Sequence, residues 1–140
     1  MSKPVRYLKR TYILMRKALD ERLSAYHLTT SQFEILGYLY ATPPVEQQQL
    51  QHYSGVTSAT LTGILDKLEQ RGYLIRTFSS ADGRAKVVSL TPLGNDLFAE
   101  LIDLFHDFEQ AMLKGFSLSE RALLTDWLQR IAFNLGDRDS

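Results

Sequence analysis

The sequence predicts a mainly α-helical fold with one small β-hairpin, and three observations carry that expectation. Apolar residues recur at helical spacing along most of the 140 residues. Between residues 73 and 90 the period drops from 3.6 to 2. Over residues 55–94 a glycine turn, an amphipathic helix and a charged hairpin follow one another without a gap. That order is how a winged helix-turn-helix presents itself to duplex DNA. The expected architecture is one domain over residues 1–140, with a winged lobe over 29–91 between terminal helical segments over 1–28 and 92–140.

The first helix is expected from Pro4, a residue favoured in the first turn, to Tyr26, with Leu8, Tyr12, Met15, Leu19 and Leu23 as its apolar stripe. Thr29 with Gln32 three residues on makes a capping box that opens a second helix carrying Phe33, Ile35, Leu36 and Leu39. Ala41-Thr42-Pro43-Pro44 ends it, and a short third helix is expected over Val45 to Tyr53, polar outside and anchored by Leu50. Gly55 supplies the positive φ that a sharp reversal needs. A fourth helix follows, capped by Thr57, with Leu61, Ile64, Leu65 and Leu68 on one side and Arg71-Gly72 as its stop. Tyr73 to Phe78 and Ala85 to Leu90 read as paired strands joined by Ser79 to Arg84. Thr91 caps a fifth helix with Pro92 at its first position, running to Lys114-Gly115. Ser117 with Glu120 opens a sixth, which runs to Leu135. These last two carry Phe98, Ile102, Leu123 and Trp127 outside the main stripe, more apolar surface than one core contact requires. Such faces suggest a second copy of the chain as partner.

Composition narrows the functional classes. Formal net charge is zero, yet residues 1–26 hold a surplus of five positive charges and residues 96–140 a surplus of five negative ones. Either the two ends lie together and compensate each other, or both are solvated faces. Cysteine is absent, which removes disulfides and thiolate metal sites and agrees with a reducing compartment, so the expected location is the cytoplasm. No apolar run approaches the roughly 18 residues of a membrane span, and no membrane partner is expected. His27, His52 and His106 lie on separate elements without paired spacing, so no metal is expected. There is no glycine-rich phosphate loop after a strand, no GxSxG elbow, no HExxH pair and no nucleophile with its base. The chain reads as a non-enzyme without a cofactor.

The candidate DNA-reading residues are those of the fourth helix and the hairpin. Thr57, Ser58, Ala59, Thr60, Thr62 and Gly63 are slim and polar, which a helix entering a major groove about 12 Å wide needs at its leading end. Arg84 and Lys86 on the hairpin add cations for the second groove. Lys67, Arg71 and Arg76 are phosphate contacts or helix-end charges, and Arg76 has the alternative of pairing with Asp82 inside the wing.

Several stretches together resemble the MarR family of bacterial transcription regulators. They are Leu28-Thr29 through Gln32-Phe33 and Leu36, Leu50 with Gly55-Val56-Thr57, Leu65-Asp66-Lys67-Leu68-Glu69 with Gly72, Asp82-Gly83-Arg84, and Leu90-Thr91 through Gly94. The resemblance spans nearly the whole chain. It implies a homodimer whose N- and C-terminal helices interlock while two winged modules grip a pseudo-palindromic operator, most often as a repressor. It also implies that Arg84 enters the minor groove and that Asp82 holds the wing in shape. Gly63 and Ser54 depart from the family pattern, where arginine and an apolar residue are common. The resemblance further implies a small phenolic or amphipathic effector, for which Tyr12, Arg16, Tyr26, His27, Phe33 and Tyr38 are the candidate pocket. Core packing is the other reading of that aromatic set. The alternative function is a winged-helix protein-interaction module that binds no DNA, supported by the neutral net charge and by Gly63.

Overall fold

A proline in the first turn opens α1, which runs Lys3–Leu23 and continues as a single 3₁₀ turn over Ser24–Tyr26. The expected helix to Tyr26 therefore tightens in its last three residues. His27 then takes a left-handed conformation at φ 54°, and the Leu28 amide returns to the Leu23 carbonyl at 3.3 Å. The computed structural model describes residues 1–79 and 83–138.

The capping box of α2, Thr30–Leu39, forms in both directions. The Thr29 side chain accepts the Gln32 amide at 3.2 Å, and the Thr29 amide donates to the Gln32 side chain at 3.0 Å. Asp20 of α1 accepts both the amide and the hydroxyl of Thr30 at 2.7 Å, so a carboxylate sits where the helix dipole favours it and ties α1 to α2.

The third helix differs from expectation. Val45–Glu46 form a two-residue strand, β1, and α3 begins only at Gln47 and runs to Ser54. The reason is tertiary: Val45 pairs with Val88 and Glu46 with Val87, which gives their backbones sheet partners instead of a helical turn. Gly55 at φ 69° then turns the chain into α4, Ser58–Gln70. Leu61, Leu65 and Leu68 are buried along its inner side. It closes with the Gly72 amide on the Glu69 carbonyl at 2.9 Å and the Tyr73 amide on the Leu68 carbonyl at 3.0 Å, a Schellman motif with Gly72 at φ 82°.

β2, Leu74–Phe78, and β3, Lys86–Leu90, pair antiparallel, and β1 adds to the other edge of β3 in the order β1-β3-β2. Val88 sits centrally between Val45 and Arg76 and is buried. α5, Pro92–Met112, starts so close to the preceding turn that a Cβ on Gly94 would fall on the Tyr73 carbonyl oxygen. Further along α5, Phe98 stacks on Phe33 at 5.3 Å and meets Tyr40 at 4.9 Å, in space left by Gly37.

The chain falls into two compact units, residues 1–104 and 105–140, with the division inside α5. The first is built on Leu19, Leu23, Ile35, Leu36, Leu50, Leu65, Leu74 and Val88, all buried. In the second, α6, Leu118–Asn134, opens with the expected capping box of Ser117 and Glu120, and Phe105 and Phe108 pack ring on ring at 5.9 Å.

Candidate nucleic-acid interface

Burial of Leu61, Leu65 and Leu68 turns the other side of α4 to solvent, leaving Thr57, Ser58, Ala59, Thr60, Thr62, Gly63 and Lys67 exposed. Thr57 is committed locally: its hydroxyl accepts the Thr60 amide at 3.2 Å and donates to the Thr60 hydroxyl at 2.9 Å. Nothing lies within 4 Å of a Cβ placed on Gly63. The start of α4 meets the hairpin across an open cleft of about 510 Å³, lined by Ser58, Arg84, Ala85 and Lys86 on two sides and by Glu46, Gln47, Gln48 and Gln51 on the third. The structure thus brings Ser58, Arg84 and Lys86 together. The α3 amides are residues the sequence reading missed as part of this surface, although a run of glutamines immediately before the turn was a visible signal. Asp82 lies outside the described residues.

Arg71 and Arg76, both predicted as cations of this surface, bind other groups of the protein. Arg71 donates to the His27 carbonyl at 2.6 Å and to the Tyr26 carbonyl at 2.9 Å, and its guanidinium lies 5.0 Å from the centre of the Tyr73 ring. Arg76 donates from Nη2 to Asp66 at 2.6 Å and to Glu69 at 2.7 Å, and from Nε to Glu69 at 3.1 Å. The hydrogen bond from Arg76 holds the Glu69 carboxyl below the usual range, against a smaller opposing effect of burial. Burial works against the charged Arg76, but its bonds to Glu69 and Asp66 outweigh it and raise its pKa.

The candidate effector residues divide. Tyr12 and Arg16 line a cavity of about 230 Å³ with Ser31, Glu34, Ile35, Ser54, Val56 and Ile64. Arg16 donates to Glu34 and to Ser31, each at 2.8 Å, and to the Tyr12 hydroxyl at 3.3 Å. The other four do not line this cavity. Phe33 stacks in the core, Tyr26 and His27 offer carbonyls to Arg71, and Tyr38 donates to the Tyr53 carbonyl at 3.2 Å. Burial raises the Tyr38 hydroxyl above its ordinary pKa, with nearby Glu34 adding to the effect. Among the described residues, no cluster of three His, Cys, Asp or Glu is placed to hold a metal ion, and no helix is long and apolar enough to cross a membrane.

With this geometry in view, similarity to known proteins is informative. A profile of the MarR family matches residues 28–86. The HTH-type transcriptional regulator PecS of Dickeya dadantii is 32% identical over 134 residues, covering 91% of this chain and 79% of PecS. This chain belongs to the MarR family. YwaE of Bacillus subtilis, an HTH-type transcriptional regulator, is 30% identical over 119 residues, covering 85% of this chain and 70% of YwaE. A solved structure of a mutant MarR from E. coli complexed with operator DNA superposes with a TM-score of 0.83 at 25% identity, covering 90% of this chain and 91% of that one. The MarR-family chain is a DNA-binding transcriptional regulator, and these relatives do not favour the alternative of a winged-helix interaction module.

Proposed function

We propose that this MarR-family chain acts as a homodimeric repressor that grips a pseudo-palindromic operator and works by binding rather than turnover, in the cytoplasm. α4 reads the major groove through Ser58, Ala59, Thr60, Thr62 and Gly63, and Arg84 and Lys86 of the hairpin engage the minor groove and its phosphates. The observation that carries this reading is the cleft shared by Ser58, Arg84 and Lys86, where one helix and one cationic ribbon face the same opening. Exposed apolar side chains support the dimer: Val5, Leu8 and Tyr12 on α1, and Leu123, Trp127 and Ile131 on α6. With two-fold symmetry the half-sites fall about 10 to 10.5 bp apart.

The effector site is the cavity at Tyr12 and Arg16, suited to a small phenolic or amphipathic molecule that uses the Arg16 guanidinium. A ligand there shifts the population toward a recognition-helix separation that no longer matches the groove. Sequencing the fragments that the purified protein selects from its own genome tests the function. Arg84→Ala is expected to weaken binding to a selected fragment by more than about tenfold at moderate salt, and the protein is expected to run at twice the 16.0 kDa of one chain. A chain that selects no fragment, or an Arg84→Ala variant that binds like the parent, refutes the assignment.

A further inference from the structure

We propose that Arg76 is a positioning residue that sets the attitude of the β2–β3 hairpin against α4 and screens two carboxylates of α4 from the duplex. This rests on the reading of α4 and the hairpin as the two DNA probes. Arg76 occupies the middle of β2, paired with the buried Val88 of β3. Glu69 holds this one strand residue twice: Oε2 accepts its backbone amide at 3.1 Å, and Oε1 accepts Nε and Nη2 at 3.1 and 2.7 Å. Asp66, one helical turn earlier, accepts Nη2 as well. A strand is thereby fixed to a helix through both its main chain and its side chain.

The placement matters because strand residues two apart share a face. One step beyond the Arg76 and Val88 pair on that face stands Phe78 opposite Lys86, and Lys86 reaches the cleft with Ser58 and Arg84. The brace therefore lies directly behind the cationic end of the hairpin. Asp66 and Glu69, three residues apart on α4, would repel each other and any phosphate running alongside. A planar guanidinium answers both carboxylates at once; a lysine ammonium is a point charge and spans them poorly. A phosphate contact, by contrast, tolerates lysine.

Anisotropy titration of a fluorescein-labelled genomic fragment selected by the parent protein, over a series of salt concentrations, separates the two roles. Arg76→Lys and Glu69→Gln are each expected to weaken binding by about tenfold, with the salt slope of the parent. Hydroxyl-radical protection in the minor groove fades while that under α4 remains. In the free chain, amide hydrogen exchange rises over residues 74–78 and 86–90 and is unchanged in α1. Parent-like binding by Arg76→Lys, together with a slope that falls by about two per dimer in Arg76→Ala, makes Arg76 a phosphate contact and overturns the proposal. So does an Arg76→Lys or Glu69→Gln variant whose hairpin exchanges like the parent. If the parent selects no DNA, the functional reading fails, and exchange in the free chain still decides whether the brace exists.

Discussion

Salt dependence of DNA binding offers the sharpest check on which cations face the duplex. Five lie between residues 57 and 90: Lys67, Arg71, Arg76, Arg84 and Lys86. Arg71 and Arg76 are half-buried and turned toward two carbonyls and two carboxylates, and the side chains of Lys67, Arg84 and Lys86 are exposed. In a dimer those three neutralise about six phosphates, for a slope of log K against log salt of about −5. Raising monovalent salt from about 50 to about 200 mM then lowers affinity by about 10³-fold. Were Arg71 and Arg76 also on the phosphates, the slope would steepen to about −9 and the loss would exceed about 10⁵-fold. Anisotropy titrations at four or more salt concentrations distinguish these values. Arg71→Ala is expected to leave the slope alone while lowering the urea midpoint, and Arg84→Ala to reduce the slope by about two. A parent slope near −9 would show that the inward-facing arginines leave their partners to bind DNA, and the reasoning from their hydrogen bonds would fail.

Further expectations concern the fold that presents these residues. Gly94→Ala drives a Cβ into the Tyr73 carbonyl oxygen, so the start of α5 must shift; a loss of about 1–3 kcal/mol or more is expected in urea unfolding. Gly63→Ala meets open space in an exposed helix interior, and thermal unfolding is expected to show a gain of about 1 kcal/mol. For the brace the sign of the pH effect follows from Glu69, whose folded pKa lies below its unfolded value of about 4.3. Its contribution is complete above that value and is lost as pH falls through the lowered one. The stability difference between the parent and Arg76→Ala should therefore be constant from pH 8 to 6 and shrink in acid, with Asp66 and Lys86 as the other charged groups nearby. A difference that grows in acid would refute the linkage.

Helix starts were legible in the sequence because their chemistry is local. Thr29 with Gln32, and Ser117 with Glu120, announce caps at a spacing of three residues, and both boxes form as expected. The wing was legible for the same reason: a change of period needs no knowledge of distant residues. β1 was not, because Val45 and Glu46 become a strand only by pairing with Val88 and Val87, some forty residues away. The roles of Arg71 and Arg76 were hidden similarly. Nothing beside Arg71 shows that its partners are the carbonyls of Tyr26 and His27. Arg76 was expected on phosphate or on Asp82, which lies outside the described residues; among the described residues it binds Asp66 and Glu69, a helical turn apart on the preceding helix. Of the candidate effector residues, Tyr12 and Arg16 were named through the family resemblance, while Glu34 and Ser31 join them around one cavity only through the packing of α2 on α1.

The grip of Arg71 on the Tyr26 and His27 carbonyls has a mechanical consequence. It fastens the trailing end of α4 to the joint where α1 hands over to α2, a joint already bent through the left-handed His27. Rocking α4 alone would strip a guanidinium from both carbonyls, so the low-cost movement keeps that joint and the helix together as a single lever. Pressure applied at the α1–α2 junction would then travel to the leading tip of α4 as rotation rather than dissipate as local slack.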